Sequence, residues 1–94
     1  MAFYTYIVSS GRNGTLYSGS AEALIARTSQ HQQKLRGGFT AKYGVSQLVW
    51  YEIHDTRAGA FRHEREIKKW NRAWKLELIE RFNPGWRDLF DDLL

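Results

Sequence analysis

Ninety-four residues and 11.0 kDa are enough for one domain, expected over 1–94, and a chain with 43% hydrophobic and 15% aromatic residues is not a disordered tail. Cysteine is absent, which excludes a disulfide framework and a Cys-ligated zinc. With no membrane-length apolar run and no leader pattern either, a soluble, cytoplasmic, non-membrane domain is expected. The net charge of +4 is uneven: within 57–75 seven basic residues face two acidic ones, a balance that suits a polyanion and equally suits a solvated helix face.

Phe3, Tyr4, Thr5, Tyr6, Ile7 and Val8 are aromatic or β-branched and predict a strand over 3–8. Asn13-Gly14 is a hairpin signal, and a second strand is expected over 15–19. Leu24, Ile25 and Thr28 predict a short amphipathic helix over about 21–34, with Ser20 as its N-cap and Gly37-Gly38 as its end. The near-continuous apolar run of 47–53 predicts a third strand, central in its sheet and covered on both faces. One long helix is expected from about 58 to 81, with Ile67, Trp70, Trp74, Leu78 and Phe82 as its apolar stripe. Asn83 and Pro84 are expected to open a last short helix over 85–93, and Trp70, Trp74 and Trp86 to fill the core. The order β-β-α-β-α-α predicts an α+β domain, a small three-stranded antiparallel sheet flanked by helices.

Several familiar sites are missing. There is no GxxxxGK[ST] phosphate loop and no GxGxxG, and His63-Glu64 opens like a zincin helix but has Ile67 where the second histidine belongs. His31 and His54 show no ligand spacing. Polar groups do stand where apolar ones are expected. Glu64, three residues from both Phe61 and Ile67, either reaches water at the edge of the stripe or is held at a site, where a divalent cation is one good partner. Arg27 and His31 share a helix face, as a phosphate-facing pair or as a solvated surface. In any odd-sum hairpin register Tyr6 and Tyr17 project from one side of the sheet, for packing or for chemistry.

Together these residues resemble the GIY-YIG nuclease superfamily. Tyr4-Thr5-Tyr6 and Tyr17-Ser18-Gly19 look like its paired motif, Leu24-Ile25-Ala26-Arg27 with His31 like its LxxR…H helix, and 63–70 like the helix that carries its metal-binding glutamate. Over about 3–90 the chain is similar to the small stand-alone bacterial members of the UPF0213 type, likened to the N-terminal domain of excinuclease C. It departs from the pattern at Tyr4, where the first motif has glycine, at Ser18, where the second has isoleucine, and at Ala23 before the helix leucine.

The resemblance implies a catalytic set of Tyr6, Tyr17, Arg27, His31 and Glu64, with Glu64 the sole protein ligand of one Mg²⁺ or Mn²⁺. It also implies substrate-side contacts from Lys42 and Tyr43, and an asparagine in the site, either Asn71 or Asn83. The implied reaction is metal-dependent hydrolysis of DNA phosphodiester bonds, for example in repair or recombination, on branched or single-stranded DNA among other forms. Tyr6, Tyr17 or His31 would be the base. Tyr6, Tyr17, Arg27 and Glu64 are then expected to converge on one concave surface, with Glu64 on the tyrosines' side of the sheet. Arg65, Lys68, Lys69 and Arg72 are expected on one helical face, away from the apolar stripe, where they would touch DNA phosphates. Two rivals stand beside this reading. One is a nucleic-acid-binding module with little turnover, its affinity drawn from the basic surface or a partner protein; the other is a structural or interaction protein using aromatics near the C-terminus.

Overall fold

The computed structural model describes residues 2–27 and 47–93. Its β-branched and aromatic segments form β1 (Phe3–Ser9), β2 (Leu16–Ala21) and β3 (Gln47–His54), an antiparallel sheet in the order β2-β1-β3. Helices pack against this sheet, so the fold is α+β as predicted. The central strand is β1, not β3: Thr5 to Ser9 are all buried. The apolar run of β3 has another cause. Its register against β1 shifts between Ile7 and Val8, and this irregularity lets Val49 and Trp50 both join the core cluster on one face.

The hairpin pairs Tyr6 with Gly19 and Val8 with Tyr17, an odd-sum register, so Tyr6, Val8, Tyr17 and Gly19 share one face. The loop is longer than a two-residue turn. Ser10 N–H donates to Thr15 O at 3.0 Å, and Asn13 takes the left-handed conformation (φ 56°) that asparagine tolerates. Strand β2 runs on to Ala21, so Ser20 is not a helix cap; a helical turn begins at Leu24 and is described to Arg27. The rest of the predicted helix, with His31, and the loop carrying Lys42 and Tyr43 lie outside the described residues.

The expected long helix is two. Thr56 caps α1 (Arg57–Lys69) by accepting from Gly59 N–H at 3.0 Å. Trp70 then turns extended, and the Asn71 side-chain carbonyl accepts from Trp74 N–H at 2.9 Å to cap α2 (Arg72–Phe82). This break moves the apolar stripe. The buried face of α1 is Ala60, Glu64 and Ile67, and α2 buries Ile79. Trp86 is core as expected and Trp70 is half-buried, but Trp74 is 57% and Phe82 49% exposed.

Asn83 does not open a helix. It is buried, and its side chain donates to Val49 O (3.2 Å) and Arg87 O (2.8 Å) and accepts from Arg87 N–H (3.1 Å), tying the end of α2 to β3. The last described element is a 3₁₀ turn, Leu89–Leu93, in place of the predicted 85–93 helix. Removing three such partners at once leaves buried backbone groups unpaired. Asn83→Ala should therefore lower stability by about 2–4 kcal/mol, read as a fall in the urea midpoint at unchanged m-value.

Candidate active site at the β2 edge

The two faces of the sheet carry different chemistry. On one, Tyr6 packs with Val8, Leu24, Leu48 and Leu89, and Tyr4, Tyr17 and Tyr51 lie against them. On the other, α1 crosses β1 and β2, with the Thr5 hydroxyl donating to Ala60 O at 2.8 Å and Ile67 packing on Ile7. The tyrosines and the helix bearing Glu64 therefore start from opposite faces, which corrects the expectation that they share one. They meet instead around β2, the edge strand.

Two features make that meeting possible. Gly19, directly across from Tyr6, has no side chain, and the Tyr6 ring lies over it: a Cβ there would be 2.5 Å from Tyr6 Oη. On the other side Glu64, 8% exposed, accepts through Oε1 from the Ser20 hydroxyl of β2 at 3.2 Å. Its Oε2 lies 3.3 Å from Lys68 Nζ, and that ammonium sits 5.5 Å from the centre of the Tyr17 ring. Lys68 thus bridges the carboxylate and the second tyrosine. Glu64 is not an edge-of-stripe residue reaching water; it occupies the middle of the buried stripe with polar partners on both oxygens.

Burial pushes the Tyr6 phenol up to about 12, further raised by nearby Tyr17 and Glu64 and partly opposed by the charge and hydrogen bond of Arg27. Arg27 has only N–H donors, so Tyr6 Oη is the acceptor of that bond. The shift has a stability consequence. The folded state holds this proton more tightly than the unfolded chain, whose tyrosine titrates near 10. Its contribution is therefore complete below pH 10 and is lost as pH rises through about 12. Between pH 10 and 12 the wild type should lose about 2–3 kcal/mol more than Tyr6→Phe, measured by urea unfolding at each pH.

The other predicted residues are distributed unevenly. Arg72 is not beside Lys68 and Lys69 on one helical face. It begins α2, and its guanidinium donates to Asn13 O (2.6 Å) and Gly14 O (2.7 Å), holding the hairpin loop. Arg65 lies over the Phe61 ring at 5.6 Å, and Lys69 is exposed in the last turn of α1. Asn71 caps a helix and Asn83 binds backbone at β3, the opposite edge from β2. Neither asparagine side chain is directed to the tyrosines.

One cluster was not foreseen. Glu52, His54 and His63 bring three ligand-type atoms within 4.8 Å of one another on the α1 face of β3. The signal for it was the alternation Glu52-x-His54, which puts both side chains on one face of a strand; only the tertiary packing of α1 adds His63.

The family model for the GIY-YIG catalytic domain matches residues 2–77, and the chain belongs to the GIY-YIG family. Its relatives include the UPF0213 protein SSP2268 of Staphylococcus saprophyticus, 37% identical over 76 residues that cover 81% of this chain and 92% of that protein. The UPF0213 protein SAV0488 of Staphylococcus aureus is 34% identical over 77 residues, 82% of this chain and 93% of that protein. In fold the chain is similar to the solution NMR structure of the UPF0213 protein BH0048 from Bacillus halodurans. The TM-score is 0.57 at 24% identity, over 94% of this chain and 93% of that one.

Among the described residues no helix is long and apolar enough to cross a membrane.

Proposed function

We propose that this chain, as a single domain, is a divalent-metal-dependent endonuclease that hydrolyses DNA phosphodiester bonds. The observation that carries the reading is the approach of Tyr6, Arg27, Tyr17 and Glu64 around the β2 edge, within a GIY-YIG family domain.

The site fits a hard divalent ion. Glu64 is a nearly buried carboxylate whose Oε2 already has a cationic partner, and Lys68 is half exposed and can swing aside for another cation. A single protein carboxylate suits Mg²⁺ or Mn²⁺, which keep most of their waters and accept phosphate oxygens. Bound there, the ion would stabilise charge on the phosphate and on the leaving oxygen. Ser20 fixes the direction of the carboxylate through its hydroxyl. Arg27 would hold a non-bridging phosphate oxygen and the charge that develops on it. Tyr6, protonated throughout the physiological range, is a poor base and would act by accepting from the Arg27 guanidinium and fixing its direction. Proton removal from the attacking water then falls to Tyr17 or His31. Lys42, Tyr43, Arg65 and Lys69 would contact the DNA backbone, and Lys68 would do so once released from Glu64.

Nicking of supercoiled DNA in Mg²⁺ or Mn²⁺, wild type beside Glu64→Ala, tests the proposal. Nicking by the wild type alone supports it. DNA binding without turnover in either metal would leave a nucleic-acid-binding module, and no binding at all would favour a partner protein as the means of reaching DNA.

A further inference from the structure

We propose that Glu52, His54 and His63 form a second cation site, for a divalent transition metal of the zinc class. It lies under α1 toward β3, on the other flank of the helix from Glu64. The inference does not depend on the nuclease reading.

A row across the sheet places it. Ser20, Thr5 and Glu52 are register partners on β2, β1 and β3, and all three face α1. At the β2 end the row meets Glu64, and at the β3 end it meets His63, the preceding residue of the same helix. Successive helical residues point about 100° apart, so one turn of α1 serves both ends of the row.

The donor atoms are already gathered. Glu52 Oε1 is 2.9 Å from His63 Nδ1 and 3.0 Å from His54 Nε2. Ligand atoms around a tetrahedral zinc, each about 2.0–2.2 Å from the ion, are separated by roughly 3.3–3.5 Å. The two short contacts must open by a few tenths of an ångström, and the two imidazole nitrogens, which lie within 4.8 Å of each other, must draw together by up to about 1.5 Å through side-chain rotation. In the metal-free chain each ring nitrogen facing Glu52 must carry a proton to make its hydrogen bond. On metal binding that proton moves to the other ring nitrogen or to solvent, and the freed lone pair takes the ion.

The rings are held in place. The His63 ring has edge contacts with Trp50 (5.9 Å), Trp70 (6.3 Å) and His54 (5.7 Å). Before the ion binds, Thr5 Oγ1, which donates to Ala60 O, accepts from His54 Nε2 at 3.1 Å and sets the orientation of that ring; the ion would take the place of this contact. Both histidines are half-buried and Glu52 is exposed, so solvent can reach the ion and fill at least one remaining position. Two imidazoles with one carboxylate favour zinc and its late first-row neighbours over Mg²⁺ or Ca²⁺, which prefer all-oxygen shells. The two sites should therefore sort metals by chemistry, hard ions at Glu64 and borderline ions here.

The test is calorimetric titration of the untagged full chain with Zn²⁺, with Co²⁺ absorption as a reporter of coordination. One ion should bind per chain. His54→Gln and His63→Gln should each weaken it by about 100-fold or more, since even the loss of an outer-shell partner costs 10–100-fold. Glu64→Gln and His31→Gln should bind as the wild type does. Imidazole ¹H–¹⁵N correlations of the wild type need no substitution, and should report metal on His54 Nε2 and His63 Nδ1. Three outcomes would overturn the site: no Zn²⁺ binding above that of a His54→Gln/His63→Gln double variant, affinity lost with Glu64→Gln or His31→Gln instead, or ring shifts confined to His31.

Discussion

Glu64→Gln should yield a folded chain that nicks supercoiled DNA at least about 1,000-fold more slowly in Mg²⁺ or Mn²⁺. Glutamine has the same shape, and its carbonyl can still accept from the Ser20 hydroxyl, so the packing of α1 on β2 survives. What disappears is the negative charge, on which both metal affinity and the Lys68 contact depend. Lys68 is half exposed, so losing its ion pair costs no more than about 1 kcal/mol after screening. Thermal melting should barely shift, and DNA binding, read by fluorescence anisotropy, should persist or strengthen as Lys68 is released toward phosphate. Undiminished cleavage by the Gln variant would remove Glu64 from the reaction.

Elements whose signal is local were legible in the sequence. The three strands and the tyrosines' common face follow from β-branched and aromatic runs and the period of two. What was not legible depended on competition between distant groups. Asn71 reads as one polar residue in a helical pattern, and only its bond to Trp74 N–H reveals it as a cap that splits the helix. Asn83 before Pro84 has the look of a helix start, but contacts with β3 and Arg87 claim its amide. The run of 47–53 looked central because apolar residues fall on both faces, yet in this edge strand only Leu48, Val49 and Trp50 are buried, against core clusters on the two sides, and Ile53 is exposed. The candidate site shows the same division. The resemblance proposes Tyr6, Tyr17, Arg27 and Glu64 for one site, but the expectation that Glu64 lies on the tyrosines' side of the sheet fails, because the helix that carries it packs on the opposite face. The pairing of Glu52-x-His54 with His63 needs the docking of α1 on β3, for which a single sequence has no signal.

Gly19→Ala is the change that tests how the two faces communicate. In the middle of a strand this substitution ordinarily stabilises, by about 0.5–1 kcal/mol, because alanine has less freedom to lose. Nothing in the backbone opposes it: among the described glycines only Gly11 has a positive φ. The obstacle is Tyr6, whose Oη and Cζ would lie 2.5 and 2.6 Å from the new methyl group. That ring is almost wholly buried beside Val8, Leu24, Leu48 and Leu89, so it cannot yield sideways, and the strands that fix the approach are paired in register. Either β1 and β2 part or Tyr6 leaves Arg27. The expected cost is about 3 kcal/mol, opposite in sign to the backbone effect, with DNA cleavage reduced about 100-fold or more as the tyrosine–arginine pair is displaced. A second substitution isolates the cause. Tyr6→Leu removes the clashing atoms, so Gly19→Ala added to Tyr6→Leu should cost little or should stabilise, giving a coupling of about 2–3 kcal/mol in a double-mutant cycle read by urea unfolding. Additive costs would mean that Gly19 acts through something other than the ring above it, and the route by which Tyr6 reaches the β2 edge would have to be redrawn.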